Sequence, residues 1–361
     1  MKLFNRCLAA AASCLLLAGV AHATTVRVHY AAGKEGIRIR ADKGAAGWSK
    51  GVPASLSDGP LNVWTFNWPD ELGDVSMKPT LGEDKVSIGG VYKLAAGATV
   101  DIYPFFGAPF GKVSVIKDVE SPQLKNRRAL RIYLPASYEE NQAKRYPVLY
   151  MQDGQNLFDA RTAAFGVEWR VDETVNRLVA TGAMDEAIVV GIDSTAERIP
   201  EYTPCCDPKY GGGKIDAYDN FVVTTVKPFI DRTYRTLPGK DSTAILGSSL
   251  GGLAAYEIAV RHPNVFSKAG AMSGSFWWNE GMAISKATGR LPVRFYLDAG
   301  TRDDGAQDTL KMRDALLARG YREGEDLMFY NAQGARHNEA AWGERLDKPL
   351  VWFFPWGASK Q

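Results

Sequence analysis

The alternation of apolar and polar positions divides the chain into two regions with different periods. Over residues 24–107, short segments alternate with a period of two, as in TTVRVHY, GIRIRA, NVWTFNW and GATVDIYPF. Gly, Pro and Asp turns separate them, and no helical period of useful length interrupts them. The pattern predicts an antiparallel β-sandwich of roughly 80 residues.

The pattern changes after residues 108–122, which are predicted to be a linker. From residue 123 to residue 361, apolar runs alternate with amphipathic segments; the runs are ALRIYLP, YPVLYM, AIVVGID, STAILG, FSKAGAMS, VRFYLDAG and DLMFYNA. Helical periods lie over residues 169–181, 217–235, 250–262 and 306–319. This alternation indicates an α/β fold with a mostly parallel sheet flanked by helices.

The first 23 residues have the pattern of an export signal. Lys2 and Arg6 are followed by the apolar run CLAAAASCLLLAGV, and the sequence AHA at 21–23 is a small-x-small cleavage pattern. The apolar run is shorter than the ~20 residues that span a bilayer. We therefore expect an exported protein, periplasmic or extracellular, with no integral membrane segment after signal removal.

Charge and cysteine content exclude several classes of partner. The chain has 43 Lys and Arg against 41 Asp and Glu, and the signal holds two of the cations, so the mature chain is nearly neutral. A neutral chain gives no electrostatic case for nucleic acid. After signal removal only Cys205 and Cys206 remain, either as a vicinal disulfide or as loop thiols; without a nearby His they make no zinc site. No metal or organic cofactor is predicted, because neither a GxGxxG nor a P-loop motif is present.

The segment 247–251 (GSSLG) has the pattern of a nucleophile elbow. It follows the apolar run AIL and precedes a segment rich in Gly, Ala and Leu. The turn strains the central Ser249, so its neighbours two positions away must be small, as Gly247 and Gly251 are. Ser248 is a weaker candidate because it lacks this glycine spacing, and an inert serine in a Gly-rich turn is the alternative interpretation.

A serine nucleophile needs a base, and the chain has four histidines from which to choose. His22 lies in the signal, His29 in the β region and His262 at a helix end before Pro263. His337 lies in a loop between a predicted strand and a predicted helix, from which it could reach the edge of the sheet. We predict His337 as the base; an exposed loop histidine is the alternative.

The imidazole needs an orienting carboxylate, which in α/β-hydrolases lies between the serine and the histidine in chain order. Asp303 and Asp304 directly follow the predicted strand VRFYLDAG. We predict Asp303 as the triad acid and Asp304 as the second choice. Asp298 lies within the strand pattern and is expected to point sideways. A solvated acidic turn is the alternative for all three.

An oxyanion hole needs two backbone donors. One is expected at Leu250, directly after the nucleophile. The other is expected at Gln155, in the loop QDGQN after the strand YPVLYM, where Gly154 permits close backbone approach. An ordinary turn capped by Asp153 and Asn156 is the alternative.

Several segments in the region from about 112 to 355 resemble the putative-esterase family of α/β-hydrolases, in the family's order. They are RIYLPASY, YPVLYMQDGQNLFD, GIDSTAERIPEYTP, GSSLGG, SGSFWW and DAGTRDDG. The family includes enterochelin (siderophore) esterases, feruloyl and acetyl-xylan esterases, S-formylglutathione hydrolase and mycolyltransferases. The resemblance implies an α/β-hydrolase fold and the triad Ser249, Asp303 and His337. It also implies the donors proposed above.

The resemblance further implies which side chains contact substrate. Trp277 and Trp278 fall, in the family pattern, at the carboxyl edge of the sheet, where an aromatic wall could hold an acyl group or a sugar ring. Core packing is the alternative for each ring. Arg198 lies on another loop and either borders the cleft or pairs with Glu201.

The N-terminal segment is similar to starch-binding-type carbohydrate modules and related immunoglobulin-like domains. The likeness lies in IRIRADKGAAGWSKG, which holds Trp48, and in NVWTFNW. A second exposed tryptophan, usual late in such modules, is missing from KVSIGGVYKL, and Trp64 alternates within a strand as a core residue would. A packing or positioning role is therefore favoured over sugar binding.

These observations together predict an exported serine esterase that works through an acyl-enzyme. The expected substrate is a small-molecule or glycan-linked ester, such as a siderophore or a feruloyl or acetyl ester of a carbohydrate. One alternative is an acyltransferase that uses a sugar hydroxyl as acceptor. The other is a glycan-binding protein whose hydrolase domain has lost activity.

Overall fold

A computed structural model describes residues 23–287 and 289–358 of the protein. The export signal predicted over residues 1–23 lies, except for Ala23, outside the described residues. Two small sheets form the N-terminal region, and one larger sheet with its helices forms the remainder of the described chain.

Within the described chain, the N-terminal region consists of nine short strands in two sheets. The strands are β1 (Ala23–His29), β2 (Ile37–Ala41), β3 (Val52–Pro53), β4 (Ser55–Asp58), β5 (Val63–Pro69), β6 (Val75–Leu81), β7 (Lys85–Val86), β8 (Tyr92–Leu94) and β9 (Thr99–Ile102). One sheet has the order β4-β5-β1-β9 and the other β3-β2-β6-β7, with β8 also paired to β6. Neighbouring strands are antiparallel, except that β1 and β9 are parallel.

The two small sheets share one apolar core. The alternation IRIRA in β2 buries Ile37, Ile39 and Ala41, and Trp68 of the other sheet packs into the same cluster. The four strands predicted here are present as β1, β2, β5 and β9, which confirms the antiparallel β-sandwich. The sequence pattern misses β6, because Pro79 in a short run argues against a strand interior.

The second region is built on an eight-stranded sheet. Its strands are β10 (Lys112–Ser121), β11 (Asn126–Leu134), β12 (Val148–Gln152), β13 (Ile188–Ile192), β14 (Thr243–Ser248), β15 (Lys268–Met272), β16 (Arg294–Gly300) and β17 (Leu327–Ala332). Their order is β10-β11-β13-β12-β14-β15-β16-β17. The strands from β12 to β17 run parallel, whereas β10 and β11 pair antiparallel with their neighbours. This mostly parallel sheet confirms the α/β-hydrolase fold.

Helices cover both faces of the large sheet. Ile245 and Leu246 are neighbours on β14 and point to opposite faces, and each belongs to a different apolar cluster. The helices are α1 (Ser137–Glu140), α2 (Val171–Ala180), α3 (Arg198–Tyr202), α4 (Ile215–Phe221), α5 (Lys227–Thr233), α6 (Leu250–Arg261), α7 (Trp278–Ser285), α8 (Ala306–Ala318), α9 (Glu339–Arg345) and α10 (Asp347–Phe353). The helix predicted over residues 217–235 is divided, since a π-helical turn at Val222–Val226 separates α4 from α5. Among the described residues, none of the helices combines the length and apolar character that crossing a membrane requires.

The linker predicted over residues 108–122 is wrong for its larger part. Lys112–Ser121 form β10, which pairs with β11 at the edge of the large sheet. Val113 and Val115 remain exposed on this strand. An edge strand that is solvated on both faces lacks the buried face by which a strand is recognised in sequence, so its pattern resembles that of a linker.

Specific hydrogen bonds join the sandwich to the larger region. The carboxylate of Glu140 in α1 accepts a hydrogen bond from the Tyr30 hydroxyl at 2.9 Å. It also accepts the backbone N–H groups of Phe106 at 2.6 Å and Gly107 at 2.8 Å. The chain that leaves the sandwich is therefore held against α1 by one satisfied carboxylate.

Candidate active site

Ser249 lies in a sharp turn between β14 and α6. Its φ of 54° and ψ of −125° lie outside the regions that non-glycine residues usually adopt. A Cβ on Gly247 would touch the backbone of Gly251, so only glycine lets the turn close this tightly. This strained turn places Ser249 at the N-terminus of α6, as the sequence pattern predicts.

The loop after β15 packs against this turn. The Ser275 N–H donates to the Ser249 carbonyl at 3.0 Å, and the two hydroxyl oxygens are 3.4 Å apart. A Cβ on Gly252 would lie 3.2 Å from the Cα of Gly274. The first turn of α6 and the loop after β15 therefore fix the position of Ser249 together.

Asp304, and not Asp303, contacts His337. Oδ1 of Asp304 lies 2.6 Å from Nδ1 of His337, and the Asp304 side chain is fully buried. Asp303 is exposed and has a left-handed φ of 55°, which turns the chain so that the next side chain faces inward. Of the two candidates from the sequence, the structure brings the second choice, Asp304, to His337 and leaves the first choice, Asp303, exposed.

The second oxygen of Asp304 is also held. The Ser273 hydroxyl donates to Oδ2 at 2.6 Å, and the Gly300 N–H donates to the same atom. Burial alone would raise the pKa of Asp304, but the hydrogen bonds from His337 and Ser273 outweigh burial and lower that pKa. An ionised carboxylate at this position can orient the imidazole and stabilise its protonated form.

The His337 ring has one nitrogen left for chemistry. Its side chain is 37% exposed, and the ring packs edge-on against Trp342 with 4.9 Å between centroids. Because Nδ1 is engaged by Asp304, Nε2 is the free nitrogen. Among the described residues Nε2 makes no hydrogen bond to Ser249; such bonds are commonly long before substrate binds and tighten afterwards.

A buried arginine is shared between Asp304 and a second carboxylate. Nη2 of Arg345 lies 3.0 Å from Oδ1 of Asp298 and 3.4 Å from Oδ2 of Asp304. The Arg345 side chain is 5% exposed, and neither carboxylate is exposed. Burial raises the pKa of Asp298, although the Arg345 charge opposes the shift. Asp298 therefore supports the site from within the sheet and is not part of a solvated acidic turn.

Gln155 lies in a tight loop after β12. Asp153 has a left-handed φ of 55°, and a 3-10 turn follows at Gly154–Asn156. A Cβ on Gly154 would lie 2.6 Å from the backbone of β13, so glycine is required at this close approach. Nε2 of Gln155 donates to the Ser194 hydroxyl at 2.8 Å. This bond fixes the Gln155 side chain away from its own N–H.

The same loop packs against the start of α6. A Cβ on Gly251 would lie 2.9 Å from Cβ of Gln152 and 3.1 Å from Oδ2 of Asp153. The first N–H groups of a helix have no partner within the helix, so the Leu250 N–H is available at this junction. The structure thus brings the segments of Leu250 and Gln155, the two predicted donors, to one place.

Arg198 pairs with Asp153 and not with Glu201. Its Nε and Nη2 atoms each lie 2.7 Å from an Asp153 oxygen, whereas Glu201 binds the buried Arg128 at 2.9 Å. Burial opposes the charge on Arg198, but Asp153 outweighs burial and raises the Arg198 pKa. The predicted Arg198–Glu201 pair is therefore wrong, and Arg198, which is 31% exposed, clamps the loop that carries Gln155.

The segment that carries His337 faces this clamp. Glu339 follows in the first turn of α9 and is buried. Burial and the Asp153 charge raise the pKa of Glu339, while the charges of His337 and Arg198 lower it. Charges affect one another in this way only over short distances. His337 follows β17 and Asp153 follows β12, so both segments lie at the carboxyl ends of the parallel strands.

The two predicted tryptophans have different environments. Trp277 is 43% exposed, whereas Trp278 is 2% exposed and its Nε1 donates to the Pro204 carbonyl at 3.0 Å. The exposed Tyr210 lies edge-on to Trp277, with 5.7 Å between centroids. Trp277 and Tyr210 form an exposed aromatic wall two residues from Ser275. The prediction that Trp278 contacts substrate is wrong, because its ring is part of the core.

The remaining sequence features are the cysteine pair and the tryptophans of the sandwich. Cys205 and Cys206 form a disulfide in the loop that also carries Tyr210. Trp48 is exposed, whereas Trp64 packs against the sandwich core and donates to a backbone carbonyl at 3.0 Å. No group of three or more His, Cys, Asp or Glu that could hold a metal ion occurs within residues 23–287 and 289–358.

Sequence reasoning missed the residues that support Asp304. Trp342 Nε1 and Arg345 Nη2 both donate to the Ser273 hydroxyl oxygen, at 2.9 Å and 2.7 Å. The two donors are three positions apart on α9, a spacing that places side chains on one face of a helix. The sequence signal that could have identified them is an indole and a guanidinium three positions apart on one helix, shortly after the predicted histidine.

Comparison with known proteins gives a family match and a fold match. The profile of the family described as "Putative esterase" matches residues 121–353. YbbA of Bacillus subtilis (strain 168) is 23% identical over 246 residues, which cover 63% of this chain and 93% of YbbA. The endo-1,4-beta-xylanase/feruloyl esterase of Xylanibacter ruminicola is 27% identical over 224 residues, which cover 60% of this chain but only 28% of that protein.

A solved structure extends the likeness to most of the chain. The enterobactin esterase FES from Shigella flexneri, in the presence of enterobactin, superposes with a TM-score of 0.55 at 17% identity. The superposition covers 88% of this chain and 87% of FES. At this identity the likeness establishes the fold alone, and its coverage reaches beyond residues 121–353.

Proposed function

We propose that Ser249, His337 and Asp304 are the catalytic triad of this chain, which belongs to the Putative esterase family and is a carboxylic ester hydrolase. The observation that carries the proposal is the buried Asp304 carboxylate 2.6 Å from Nδ1 of His337, at the same sheet edge as a serine in a strained turn. A structural serine and histidine would require neither feature.

The proposed mechanism is acyl transfer through a covalent intermediate. Nε2 of His337 takes the Ser249 proton while Oγ attacks the ester carbonyl carbon. The negative charge that develops on the carbonyl oxygen is stabilised by the N–H groups of Leu250 and Gln155. His337 then donates the proton to the departing alcohol, which leaves an acyl-enzyme. A water that gives its proton to His337 attacks this intermediate, and His337 returns that proton to Oγ of Ser249 as the acid is released.

Asp304 contributes by holding the imidazole and by stabilising its protonated form. The Ser273 hydroxyl and Arg345 both contact Oδ2, so Oδ1 is left to accept from Nδ1 of His337. Because the pKa of Asp304 is lowered, the carboxylate does not take the proton away from the imidazolium. Asp304 and His337 are thereby paired before substrate arrives.

We further propose that the protein is exported, through the signal at residues 1–23, and that its substrate is a siderophore or a feruloyl or acetyl ester of a carbohydrate. The names of the similar proteins support the two ester classes. The exposed wall of Trp277 and Tyr210 favours a substrate with a planar aromatic group, since such a group can stack on or lie edge-on to these rings.

The triad is tested by hydrolysis of p-nitrophenyl butyrate. Ser249→Ala is expected to lower kcat by on the order of 10⁶-fold with little change in melting temperature. Ser248→Ala, which removes a neighbouring hydroxyl within β14, is the matched control and should retain more than half of the activity. Activity that survives in Ser249→Ala would show that the nucleophile is misassigned.

The aromatic wall is tested by comparing feruloyl and acetyl esters of the same sugar. Trp277→Ala should raise KM for the feruloyl ester about fivefold, because an aromatic contact of ~1 kcal/mol is lost, and should affect the acetyl ester less. Trp48→Ala removes an equally exposed tryptophan from the sandwich and should change neither. Equal losses on both esters would contradict an aromatic role for Trp277.

A further inference from the structure

A cavity of about 560 Å³ lies between the sandwich and the larger region. From the sandwich, residues of β8 and β9 line it, and from the larger region, the segments before β12 and β13 and the end of the chain around Trp356 line it. Small-molecule sites typically have volumes of 300–1,000 Å³ and occur preferentially between domains. The cavity therefore has the size and place of a ligand site.

This cavity is at the opposite end of the large sheet from Ser249. Lys144 and Pro147 precede the first residue of β12, and Asp185 and Glu186 precede β13, so the cavity faces the amino ends of the parallel strands. Ser249 directly follows the carboxyl end of β14. A ligand bound in the cavity would consequently leave the ester-cleaving edge free.

Aromatic rings form part of the cavity wall. Tyr92 and Trp356 are in contact, with 5.3 Å between ring centroids, and Trp356 Nε1 is held by the Val91 carbonyl at 3.1 Å. Tyr103 also lines the cavity, and its ring stacks on His29 at 4.4 Å. These rings are held in place by neighbours, so they offer fixed apolar faces.

The hydroxyls of both tyrosines are available to a ligand. Within the described residues, neither the Tyr92 nor the Tyr103 hydroxyl has a hydrogen-bond partner. Burial raises the Tyr92 pKa, and the charges of Asp185 and Glu186 raise it further. Two phenols can each donate and accept a hydrogen bond.

The charges around the cavity balance. Its lining contains three cations (Lys93, Lys144 and Arg145) and three carboxylates (Asp101, Asp185 and Glu186). A site for an anionic or cationic ligand would have an excess of the opposite charge in its lining, and a site for an acyl chain would have apolar walls. A neutral ligand with many hydroxyls and an apolar ring face matches both the aromatic surfaces and the paired charges.

We propose that this cavity binds a short neutral oligosaccharide, at a site separate from the ester-cleaving one. Sugar rings would lie against Tyr92 and Trp356, and their hydroxyls would bind the tyrosine hydroxyls. The two sides of the cavity are closely joined, because a Cβ on Gly182 would collide with the backbone of Gly90. The site is therefore preformed, and binding requires little rearrangement.

Isothermal titration of the full chain with xylohexaose, maltohexaose and cellohexaose tests this proposal. At least one of these probes should bind, and Tyr92→Phe/Tyr103→Phe should weaken that binding tenfold or more, because the double variant removes both free hydroxyls. Val91→Trp, at an exposed rim position, should abolish binding by filling the cavity. Trp48→Ala, the control for an exposed tryptophan elsewhere on the sandwich, should bind within twofold of the unmodified protein.

The esterase rate on p-nitrophenyl butyrate separates this proposal from the triad. All of these variants should keep that rate, and Ser249→Ala should lose it while still binding the oligosaccharide. Failure of all three probes to bind would overturn the proposal. So would binding that survives in both cavity variants, or binding that is lost in Trp48→Ala.

Discussion

The two ends of the large sheet are built in different ways. At the carboxyl end, four neighbouring strands are each followed by a non-glycine residue with positive φ: Asp153 (55°), Ser249 (54°), Ser273 (48°) and Asp303 (55°). Such conformations cost about 1–3 kcal/mol each and persist only where the surroundings enforce them. Strain is therefore concentrated at the edge where the triad is proposed.

At the amino end, the same sheet meets the sandwich through glycine. A Cβ on Gly90 would lie 2.8 Å from Nε1 of Trp356, and one on Gly182 would collide with Gly90 itself. The three carboxylates that line the cavity at this end, Asp101, Asp185 and Glu186, are matched by three cations. The comparison teaches that one end is built for placing reactive groups and the other for close, neutral contact.

After loss of the nucleophile itself, the largest effect is expected from the triad acid. Asp304→Asn should lower kcat on p-nitrophenyl butyrate by on the order of 10⁴-fold, because an amide cannot stabilise the imidazolium or fix its tautomer. Asp303→Asn, one residue earlier and exposed, is the matched control and should change kcat less than twofold. Equal losses in the two variants would remove the distinction that the Asp304–His337 contact makes.

A smaller loss is expected when the shared cation is removed. Arg345→Met leaves two buried carboxylates without their partner, so the free energy of unfolding should fall by about 3–5 kcal/mol. Displacement of Asp304 should lower kcat by on the order of 10–100-fold. Urea unfolding measures the loss of stability, and steady-state hydrolysis of p-nitrophenyl butyrate measures the loss of kcat.

The other carboxylate bound by Arg345, Asp298, provides the control. Asp298→Asn combined with Arg345→Met removes one carboxylate together with the cation, and should recover at least half of the lost stability. If the double variant is no more stable than Arg345→Met alone, the charge balance among these three residues is not what holds the site.

A pH-dependent difference is expected from Asp304. Its folded-state pKa lies below the ordinary value of 3.8, so its charge stabilises the fold above 3.8 and this contribution is lost as the pH falls through the lower, folded pKa. The stability advantage of the unmodified protein over Asp304→Asn should therefore narrow between pH 7 and pH 3. Asp298, whose pKa is raised, is common to both proteins. An advantage that widens toward pH 3 would contradict the lowered pKa.

The smallest effect on activity is expected at the amino end. Gly182→Ala should destabilise the protein by about 1–3 kcal/mol through overpacking against Gly90. It should change kcat less than twofold, because this contact lies at the opposite end of the sheet from Ser249. Gly166→Ala has the same φ of 68°, with nothing within 4 Å of the added Cβ, and serves as the control for backbone strain. Equal destabilisation by the two substitutions would mean that the contact between Gly182 and Gly90 is loosely packed.

The sequence predicted the buried parts of the fold better than its edges. Parallel strands such as β14 are apolar on both faces and are flanked by helices, so they are recognised easily. The edge strand Lys112–Ser121 lacks that signal. The GxSxG turn and His337 could be found because each follows from local chemistry, the small neighbours of Ser249 and the short supply of histidines.

The errors at the site arise from orientation, which spacing does not determine. Asp303 and Asp304 are equally placed along the chain, and only the positive φ of the first decides that the second faces His337. Trp277 and Trp278 are adjacent as well, yet one ring is exposed and the other buried. Arg345 contacts Asp304 from 41 residues away, a pairing that requires the folded sheet.

The most direct test of the central claim, that Ser249 is a nucleophile activated by His337 and Asp304, is stoichiometric labelling with a fluorophosphonate, followed by peptide mapping. We predict one label per chain, on Ser249, with labelling slowed at least a thousandfold in His337→Ala. A label on another residue, or labelling that proceeds at the same rate without the imidazole, would contradict it.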